Sequence, residues 1–433
     1  MRSNHLKHIF NIETSTDLKN EFIGGLTTFM TMAYIIFVNP AILSDAGMDK
    51  PALITVTCLA AFFGTVLVGI WANVPFAMAP GMGLNAFFTY TLVIGQGLNW
   101  QTALGVVFIS GVVFLVLTII GIREKIVTAI PIGLRFSAAA GIGLFITFIG
   151  MKNLGLIVGN PATLVSIGKL TTPVLLGLAG LIVIVIFEVK KIRGAILIGI
   201  LLTFFIGIIF GEVKMPDAVV SMPPSIAPVA LQLDIIGALK WGLAGAIFSF
   251  MFVDLFDSIG TIVACSYEAG HVKEDGTIQN IDKMLEADAL ATVVGSLLGT
   301  STTTTYIESA SGIADGAKTG LSSIVTASFF LLALFFAPLI SAVPAFATAP
   351  ALIIVGVFMF KNIKGIDFSD FTIAVPSFLT IILMPLTFSI STGLTIGFLS
   401  FVIIAAFSGE IKKISSVMWV IGLFSAINLF IAT

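Results

Sequence analysis

The chain has 433 residues, of which 58% are hydrophobic and only 10% are charged. Soluble domains carry about 25% charged residues, so this composition excludes a soluble globular protein and predicts a polytopic membrane protein. The formal net charge of −2, without a basic patch, argues against nucleic-acid binding. The histidines and two cysteines lack metal-site spacing, and a site formed by His271, Glu274 and Asp275 is disfavoured against a solvated loop.

The apolar segments define the predicted elements. A membrane-spanning helix needs about 20 apolar residues. Thirteen segments approach this requirement: 22–44, 52–72, 100–121, 131–150, 172–189, 193–211, 238–264, 285–299, 321–340, 344–361, 370–389, 391–408 and 415–432. Two further stretches, 75–93 and 300–318, are too polar or too rich in glycine and proline for ordinary spans. We expect both to be discontinuous, part extended chain and part short helix.

The positions of lysine and arginine predict the orientation. With the polar N-terminus (1–21) in the cytoplasm and every segment crossing, 16 of the 21 cationic residues lie inside and 5 outside. This distribution satisfies the positive-inside rule. If either broken segment did not cross the membrane, every later loop would change sides and the excess of cationic residues inside would be lost. The N-terminus lacks the apolar core of a cleavable signal peptide. We therefore predict a multi-pass protein of the plasma membrane, or of the inner membrane in a Gram-negative cell, with a cytoplasmic N-terminus.

The two halves of the chain resemble each other. Residues 24–30 (GGLTTFM) and 245–251 (GAIFSFM) each open a long segment, and the broken stretch 75–93 corresponds to 300–318. Each half has seven segments, and this odd number inverts the second half relative to the first. Inverted repeats with paired discontinuous segments are typical of secondary transporters, whose site lies at the repeat interface near the membrane midplane. The segment 415–432 is additional to this repeat.

The stretch 299–312 (GTSTTTTYIESASG) is unusually polar for its position between apolar runs. Polar backbone at membrane depth is tolerated where it lines a cavity, and an intramembrane carboxylate is by default a candidate functional group. Glu308 is therefore the first candidate to bind a solute, together with Tyr306 and Ser309. The alternative is a structural role for Glu308 as a helix cap.

A pair of carboxylates marks the segment 238–264. Asp254 and Asp257 are three residues apart and so share a helical face. Two like charges in a low-dielectric core favour proton uptake by one of them, so we predict that this pair couples transport to protons and that Asp257 also contacts the solute. The alternatives are an ion pair with a lysine of another helix, or helix–helix hydrogen bonds.

The stretch 80–88 (PGMGLNAFF) supplies the remaining candidates. Gly83 permits close approach of a ligand to the backbone, and the N-terminus of a half-helix there would offer N–H donors. Asn85 has both a donor and an acceptor. Phe76, just upstream, has the flat surface needed to cover a ring. A packing role is the alternative for each, but their position opposite 300–318 favours binding.

Four ordered motifs resemble those of the AzgA-like purine permeases of the nucleobase–cation symporter superfamily, and the resemblance extends over essentially the whole chain. They are EFIGGLTTF (21–29, followed by Tyr34 and Asn39-Pro40), APGMGLNAFF (79–88), LFDSIGT (255–261) and STTTTYIESASG (301–312). The resemblance implies a uracil-transporter-like, all-α fold of two inverted seven-segment repeats, usually a homodimer. It implies a core domain (22–121 and 238–340), a gate domain (122–211 and 341–408), an extracytoplasmic loop (212–237) and an extra C-terminal segment (409–433).

The same resemblance implies a function. It points to uptake of guanine, hypoxanthine or adenine with a coupling cation, expected to be H⁺, and no other cofactor. The acidic positions important in the family fall on Asp257 and Glu308, and its glycine and asparagine fall on Gly83 and Asn85. A carboxylate can accept two parallel N–H bonds from one edge of a purine. Guanine and hypoxanthine are favoured because adenine lacks the N1–H group.

Other functions are weighed against this one. An adenine-preferring permease and a carrier of a different polar solute on the same fold stay open. Two inward-pointing acidic residues disfavour an inorganic anion, and the clustering of polar residues in two short stretches disfavours a channel. An aspartyl enzyme needs carboxylates from two facing elements, so we expect no catalytic residues. The absence of a G-x-x-x-x-G-K-[ST] motif gives no support to ATP-driven pumping.

Overall fold

The computed structural model describes residues 15–121, 129–216, 218–240, 243–272 and 277–432. The elements of the first half are α1 (Ser15–Met32), α2 (Ile35–Ser44), α3 (Lys50–Trp71), β1 (Met78–Pro80), α4 (Met82–Ala86) with a π-helical continuation (Phe87–Gly95), α5 (Trp100–Ile119), α6 (Ile132–Leu154), β2 (Ile157–Asn160), β3 (Leu164–Ile167), α7 (Thr172–Val189) and α8 (Ala195–Ile209). The elements of the second half are α9 (Ile235–Ala238), α10 (Ala244–Glu268), α11 (Ile281–Leu298), β4 (Thr303–Thr305), α12 (Ser309–Ala314), α13 (Gly320–Ala333), a 3-10 turn (Leu334–Phe336), α14 (Ala337–Ala342), α15 (Ala345–Phe360), a second 3-10 turn (Lys361–Gly365), α16 (Phe371–Thr387), α17 (Ile390–Phe407), a third 3-10 turn (Ile411–Lys413) and α18 (Ser416–Ala432).

The predicted helical membrane architecture is confirmed. Among the described residues, nine helices are long and apolar enough to cross a membrane, and shorter apolar helices supply further segments. The predicted segment 285–299 corresponds to α11, whose first turns are charged. Residues 1–14, Glu274 and Asp275, about which the sequence makes predictions, lie outside the described residues.

Two predicted spans differ from single helices. The segment 22–44 divides into α1 and α2 at Ala33 and Tyr34. Here backbone hydrogen bonds join residues three apart instead of four, as in Ile36 N–H to the Ala33 carbonyl at 3.1 Å. The segment 321–340 divides into α13, a 3-10 turn and α14. Pro338 lies in the first turn of α14, where its missing N–H costs no helical hydrogen bond.

Both broken segments are discontinuous, as predicted, and they meet each other. β1 and β4 form an antiparallel ribbon in which Ala79 is opposite Thr304. The β-branched threonines of β4 suit an extended chain. The ribbon is extended by hydrogen bonds from Gly81 N–H to the Thr302 carbonyl at 2.8 Å and from Tyr306 N–H to the Ala77 carbonyl at 2.9 Å. One short helix follows each strand, α4 after β1 and α12 after β4.

The inverted repeat is visible in how the helices pack. Counted in chain order with the broken stretches 75–93 and 300–318 as the third and tenth, segments of the two halves correspond at an interval of seven. The second segment packs on the eleventh (α3 on α13), and the fourth correspondingly packs on the ninth (α5 on α11). The sixth packs on the seventh (α7 on α8), and the thirteenth packs on the fourteenth (α16 on α17). The fifth and twelfth segments, α6 and α15, pack on each other. Contacts that recur in this paired way are those that a twofold relation between the halves requires.

The extra C-terminal segment is a helix. α18 packs on α17 and on α10, and the rings of Phe424 and Phe248 lie 4.7 Å apart between their centroids. A second two-stranded sheet, β2 with β3, connects α6 to α7 and was not predicted. It falls in the stretch between the fifth and sixth segments, which carries too few apolar residues for a span.

A close crossing of α3 and α13 supports the ribbon from one side. A side chain on Gly320 would collide with the backbone carbonyl of Gly69, so the two backbones touch.

The buried carboxylate of Glu21 caps the start of α13: it accepts hydrogen bonds from the N–H groups of Lys318 and Thr319 at 3.0 Å and of Ser322 at 3.1 Å. An anion at a helix N-terminus is electrostatically favourable.

Gly320→Ala should lower the thermal stability of the detergent-solubilised protein. The added methyl meets the backbone of α3, and overpacking of this kind costs about 1–3 kcal/mol. Gly260→Ala is the matched control, because Gly260 is an exposed helical residue with no atom within 4 Å of an added methyl. That change should leave stability unchanged or raise it by about 0.5–1 kcal/mol. Equal effects of the two substitutions in thermal unfolding would contradict the close crossing.

Candidate functional site

Glu308 lies directly before α12, beside the ribbon of β1 and β4. Its side chain is enclosed by protein, yet part of its surface is accessible. The buried hydroxyl of Tyr34 donates a hydrogen bond to Glu308 Oε1 at 2.5 Å. Tyr34 comes from the junction of α1 and α2, so the first and tenth segments meet at this carboxylate.

Asp257 of α10 lies near Glu308. It too is enclosed by protein but partly accessible, and the Thr304 hydroxyl of β4 donates a hydrogen bond to it. The carboxylates of Asp288 and Glu308 are close enough to act electrostatically on Asp257. Asp288 of α11 is fully buried, and its Oδ1 accepts a hydrogen bond from the Thr305 N–H at 3.2 Å. Three elements of the second half therefore direct carboxylates toward one region.

Asp254 occupies a different environment from Asp257. Its side chain is only 1% exposed, and the Ser258 hydroxyl lies 3.4 Å from its Oδ1 as a donor. The sequence predicted Asp254 as the like-charged neighbour of Asp257. The structure adds neighbours from other elements, Asp288 and Glu308, which a pattern of helical spacing cannot detect. The proton-coupling role of Asp254 stays a prediction.

Tyr306 and Ser309 hold the ribbon in place. The Tyr306 hydroxyl donates to the Pro80 carbonyl at 2.5 Å. The Ser309 hydroxyl donates to the Tyr306 carbonyl at 2.6 Å and accepts from the Ala77 N–H at 3.0 Å. Both side chains are buried and have protein partners. Their predicted role as ligands remains a prediction, whereas their structural role is evident.

Asn85 belongs to a buried polar network. Its amide donates to Asn39 Oδ1 at 2.6 Å, and its own Oδ1 accepts a hydrogen bond from the Ser301 hydroxyl. Asn39 in turn donates to the hydroxyls of Thr57 at 2.8 Å and Thr300 at 3.1 Å. Asn85 is 0% exposed. In this state the predicted ligand Asn85 connects α4 to α2 and to the start of the tenth segment.

Gly83 and Phe76 take part in packing. A side chain on Gly83 would meet Ile142 of α6 at 2.6 Å, so the glycine lets α4 lie against α6. Phe76 is 0% exposed and belongs to an apolar cluster with Ile262 and Met284. Phe76 therefore fills space between α3, α10 and α11 in this structure, and the predicted covering of a ring by its side chain stays a prediction.

Three threonine hydroxyls beside the site lack a protein hydrogen-bond partner in the part of the chain that is described. They belong to Thr302, Thr303 and Thr305, all of them buried. Buried polar groups are normally hydrogen-bonded. The side chain of Thr303 lies against Gly64 of α3 and Gly295 of α11, on the strand face opposite to that of Thr304. No set of described residues has the side chains to hold a metal ion.

A separate cavity of about 160 Å³ lies between α2, α6 and α15. Its wall is mostly apolar and includes Asp45 and Asn153. The Tyr90 hydroxyl joins these two, because it donates to Asp45 Oδ2 at 2.7 Å and accepts from the Asn153 amide at 3.0 Å. Val38 also lines the cavity and donates its N–H to the Tyr34 carbonyl at 3.1 Å. The cavity thus reaches the helical turn that follows Tyr34.

The far end of α12 carries an ion pair. Asp315, which directly follows α12, accepts hydrogen bonds from the guanidinium of Arg193 and, at 2.6 Å, from the Thr27 hydroxyl. Arg193 lies just before α8, and Thr27 lies in α1. This contact connects α12 to one helix of each predicted domain. The sequence contains both charged residues, but it does not predict that Arg193 and Asp315 are in contact.

Tyr34 and Asp288 are the site residues that the sequence analysis missed. Tyr34 was part of a family motif, but its contact with Glu308 joins residues 274 positions apart. Asp288 could have been singled out, because it is a carboxylate within the apolar part of the predicted segment 285–299. The gathered groups can accept N–H bonds from a planar polar solute, and they can exchange a proton.

Comparison with known proteins identifies relatives along almost the entire chain. A family model described as Permease family (Xan_ur_permease) matches residues 19–396. Putative permease MJ0326 of Methanocaldococcus jannaschii is 52% identical over 95% of this chain and 95% of that protein. Guanine/hypoxanthine permease PbuG of Bacillus subtilis is 46% identical over 96% and 97%. Adenine permease AdeP of Escherichia coli is 43% identical over 96% and 94%.

Solved structures show the same fold at low sequence identity. The transmembrane domain of the cyanobacterial bicarbonate transporter BicA aligns with a TM-score of 0.67 at 17% identity, covering 89% of this chain and 98% of that domain. At this identity the likeness concerns the fold alone. It agrees with the architecture of inverted seven-segment repeats described above.

Proposed function

The chain belongs to this permease family, and we propose that it imports purine nucleobases by cation symport, with guanine and hypoxanthine preferred over adenine. It is a transporter rather than an enzyme. The identities of 46% to a guanine/hypoxanthine permease and 43% to an adenine permease are too similar to select the base. The preference therefore rests on the site, and an adenine-preferring permease is the second candidate.

The observation that carries the proposal is the carboxylate of Glu308. It lies beside the paired broken segments and keeps an accessible surface while its polar neighbours are buried. Hydrogen bonds to an ionised acceptor are roughly twice as strong as neutral ones. A carboxylate here suits the N1–H of guanine or hypoxanthine, whereas adenine has an acceptor at N1 and would be bound less favourably.

The coupling cation is proposed to be a proton carried by Asp257. Asp257 lies near two other carboxylates, Asp288 and Glu308, in a region enclosed by protein. Concentrating negative charge in such a region favours binding of a cation. A proton needs no coordination shell, so a single carboxylate can carry it.

The membrane location, the oligomeric state and the domain division are proposed from the sequence rather than from the site. The asymmetry of lysine and arginine supports a plasma-membrane location with the N-terminus in the cytoplasm. The resemblance to purine permeases supports a homodimer and a division into core and gate domains with the predicted boundaries. Consistent with that division, the six helices α6, α7, α8, α15, α16 and α17 pack mainly with one another.

Uptake of labelled bases tests the proposed function. Cells deficient in purine uptake that express this chain should accumulate guanine and hypoxanthine, and a proton uncoupler should abolish the accumulation. Guanine and hypoxanthine should inhibit each other's uptake more strongly than adenine inhibits either. Equal inhibition by adenine would contradict the preference for guanine and hypoxanthine, and stronger inhibition by adenine would support the adenine-preferring alternative. Absence of purine uptake would refute the proposal.

Glu308→Gln should abolish or severely weaken purine binding. The amide keeps the shape but replaces one acceptor by a donor that faces the N–H of the ligand. Truncating a charged hydrogen-bond partner in a buried site costs about 2–5 kcal/mol. Glu286→Gln is the control, because Glu286 accepts from the Trp71 indole at 3.1 Å in an exposed position. Near-normal affinity of Glu308→Gln in calorimetry would remove Glu308 from the site.

Asp257→Asn should damage accumulation more than binding. The neutral amide imitates a permanently protonated carboxyl, so the variant can bind and exchange purine but cannot use a proton gradient. In reconstituted vesicles, gradient-driven uptake should be lost while counterflow partly survives. Asp282→Asn, at an exposed position in the first turn of α11, is the matched control. Survival of both activities in Asp257→Asn would make Asp257 structural, and loss of both would make it a direct ligand.

A further inference from the structure

We propose that Tyr34 sets the discrimination between guanine and hypoxanthine by occupying an acceptor position of Glu308. This inference rests on the proposed function of the site. Its basis is the hydrogen bond from the Tyr34 hydroxyl to Glu308 Oε1 at 2.5 Å. A carboxylate oxygen can accept two hydrogen bonds, so the Tyr34 hydroxyl fills one of the two acceptor positions of Oε1. The charge that Tyr34 draws from Oε1 leaves this oxygen a weaker acceptor for a base than Oε2.

Tyr34 is held firmly in this position. Its side chain is 1% exposed. Its backbone carbonyl accepts hydrogen bonds from the N–H groups of Phe37 and Val38, both at 3.1 Å, which anchors the residue to the start of α2. A buried tyrosine hydroxyl requires a partner, and leaving it unbonded would be unfavourable. The hydroxyl therefore competes with any ligand donor that approaches Oε1.

Guanine and hypoxanthine differ at the group that this competition affects. Both have N1–H as a donor and a carbonyl at C6. Guanine adds an exocyclic amine at C2, whose N–H lies parallel to N1–H, whereas hypoxanthine has only C–H there. A free carboxylate would accept both N–H groups of guanine in a bidentate pair. When Tyr34 donates to Oε1, the N1–H of either base is satisfied by Oε2, and the amine of guanine meets only the weakened Oε1.

The first consequence concerns the unaltered protein. Since the guanine amine meets an oxygen that already accepts a hydrogen bond from Tyr34, guanine and hypoxanthine should inhibit uptake of each other with constants within about threefold, which is less than a full hydrogen bond is worth. This comparison needs no variant. A preference for guanine of tenfold or more in the unaltered chain would overturn the proposal.

The second consequence concerns Tyr34→Phe, which removes the hydroxyl and keeps the ring. Oε1 then regains its full strength as an acceptor, so the ratio of kcat/KM for guanine to that for hypoxanthine should rise about tenfold, equivalent to about 1.4 kcal/mol. The matched control is Tyr90→Phe. Tyr90 is also a buried tyrosine that donates to a carboxylate, Asp45 Oδ2 at 2.7 Å, but at the separate cavity. It should leave the ratio unchanged.

The outcomes separate this inference from its premise. A rise in the ratio with Tyr34→Phe but not with Tyr90→Phe supports a role of Tyr34 in specificity. If Tyr34→Phe changes uptake of both bases by the same factor, Tyr34 only supports Glu308 structurally and the inference is wrong. If the unaltered chain transports neither base, the proposed function fails instead. If Tyr34→Phe does not yield folded protein, the inhibition constants of the unaltered chain decide.

Discussion

The structure depends on satisfying the backbone polar groups of two non-helical stretches inside the membrane. Within hydrocarbon, an unpaired N–H or C=O costs several kcal/mol, so irregular backbone survives only where protein supplies partners. Here the two stretches supply each other: β1 and β4 pair over three residues each. Neither repeat could form this ribbon alone. The association of the halves and the formation of the site are therefore the same event.

Much of the polar sequence near the site serves this constraint. Tyr306 and Ser309 bind carbonyl and N–H groups of the ribbon, and Asn85 joins the ribbon region to α2. A hydroxyl or amide with its partners in place has little capacity left for a solute. Glu308 and Asp257 differ because they retain accessible surface. Accessibility thus separates the candidate ligands from the scaffold, although both groups lie in the same motifs.

The sequence was sufficient for the helical repeat architecture, because long apolar runs and broken polar stretches are local signals. It also singled out Glu308 and Asp257 as candidates, since an ionisable group within a predicted span stands out. It could not find the contacts that define their chemistry. Tyr34 and Asp288 reach the site through pairings between distant elements, and a single chain carries no signal for such pairings. The packing role of Phe76 likewise depends on which helices surround it.

The short helix α12 connects the site to the contact between the predicted domains. It has six residues, so it is about 9 Å long. Glu308 precedes it and faces Tyr34, while Asp315 follows it and binds Arg193 and Thr27. The start of α8, next to Arg193, and the carboxylate of Glu308 are therefore connected through about one and a half turns of helix.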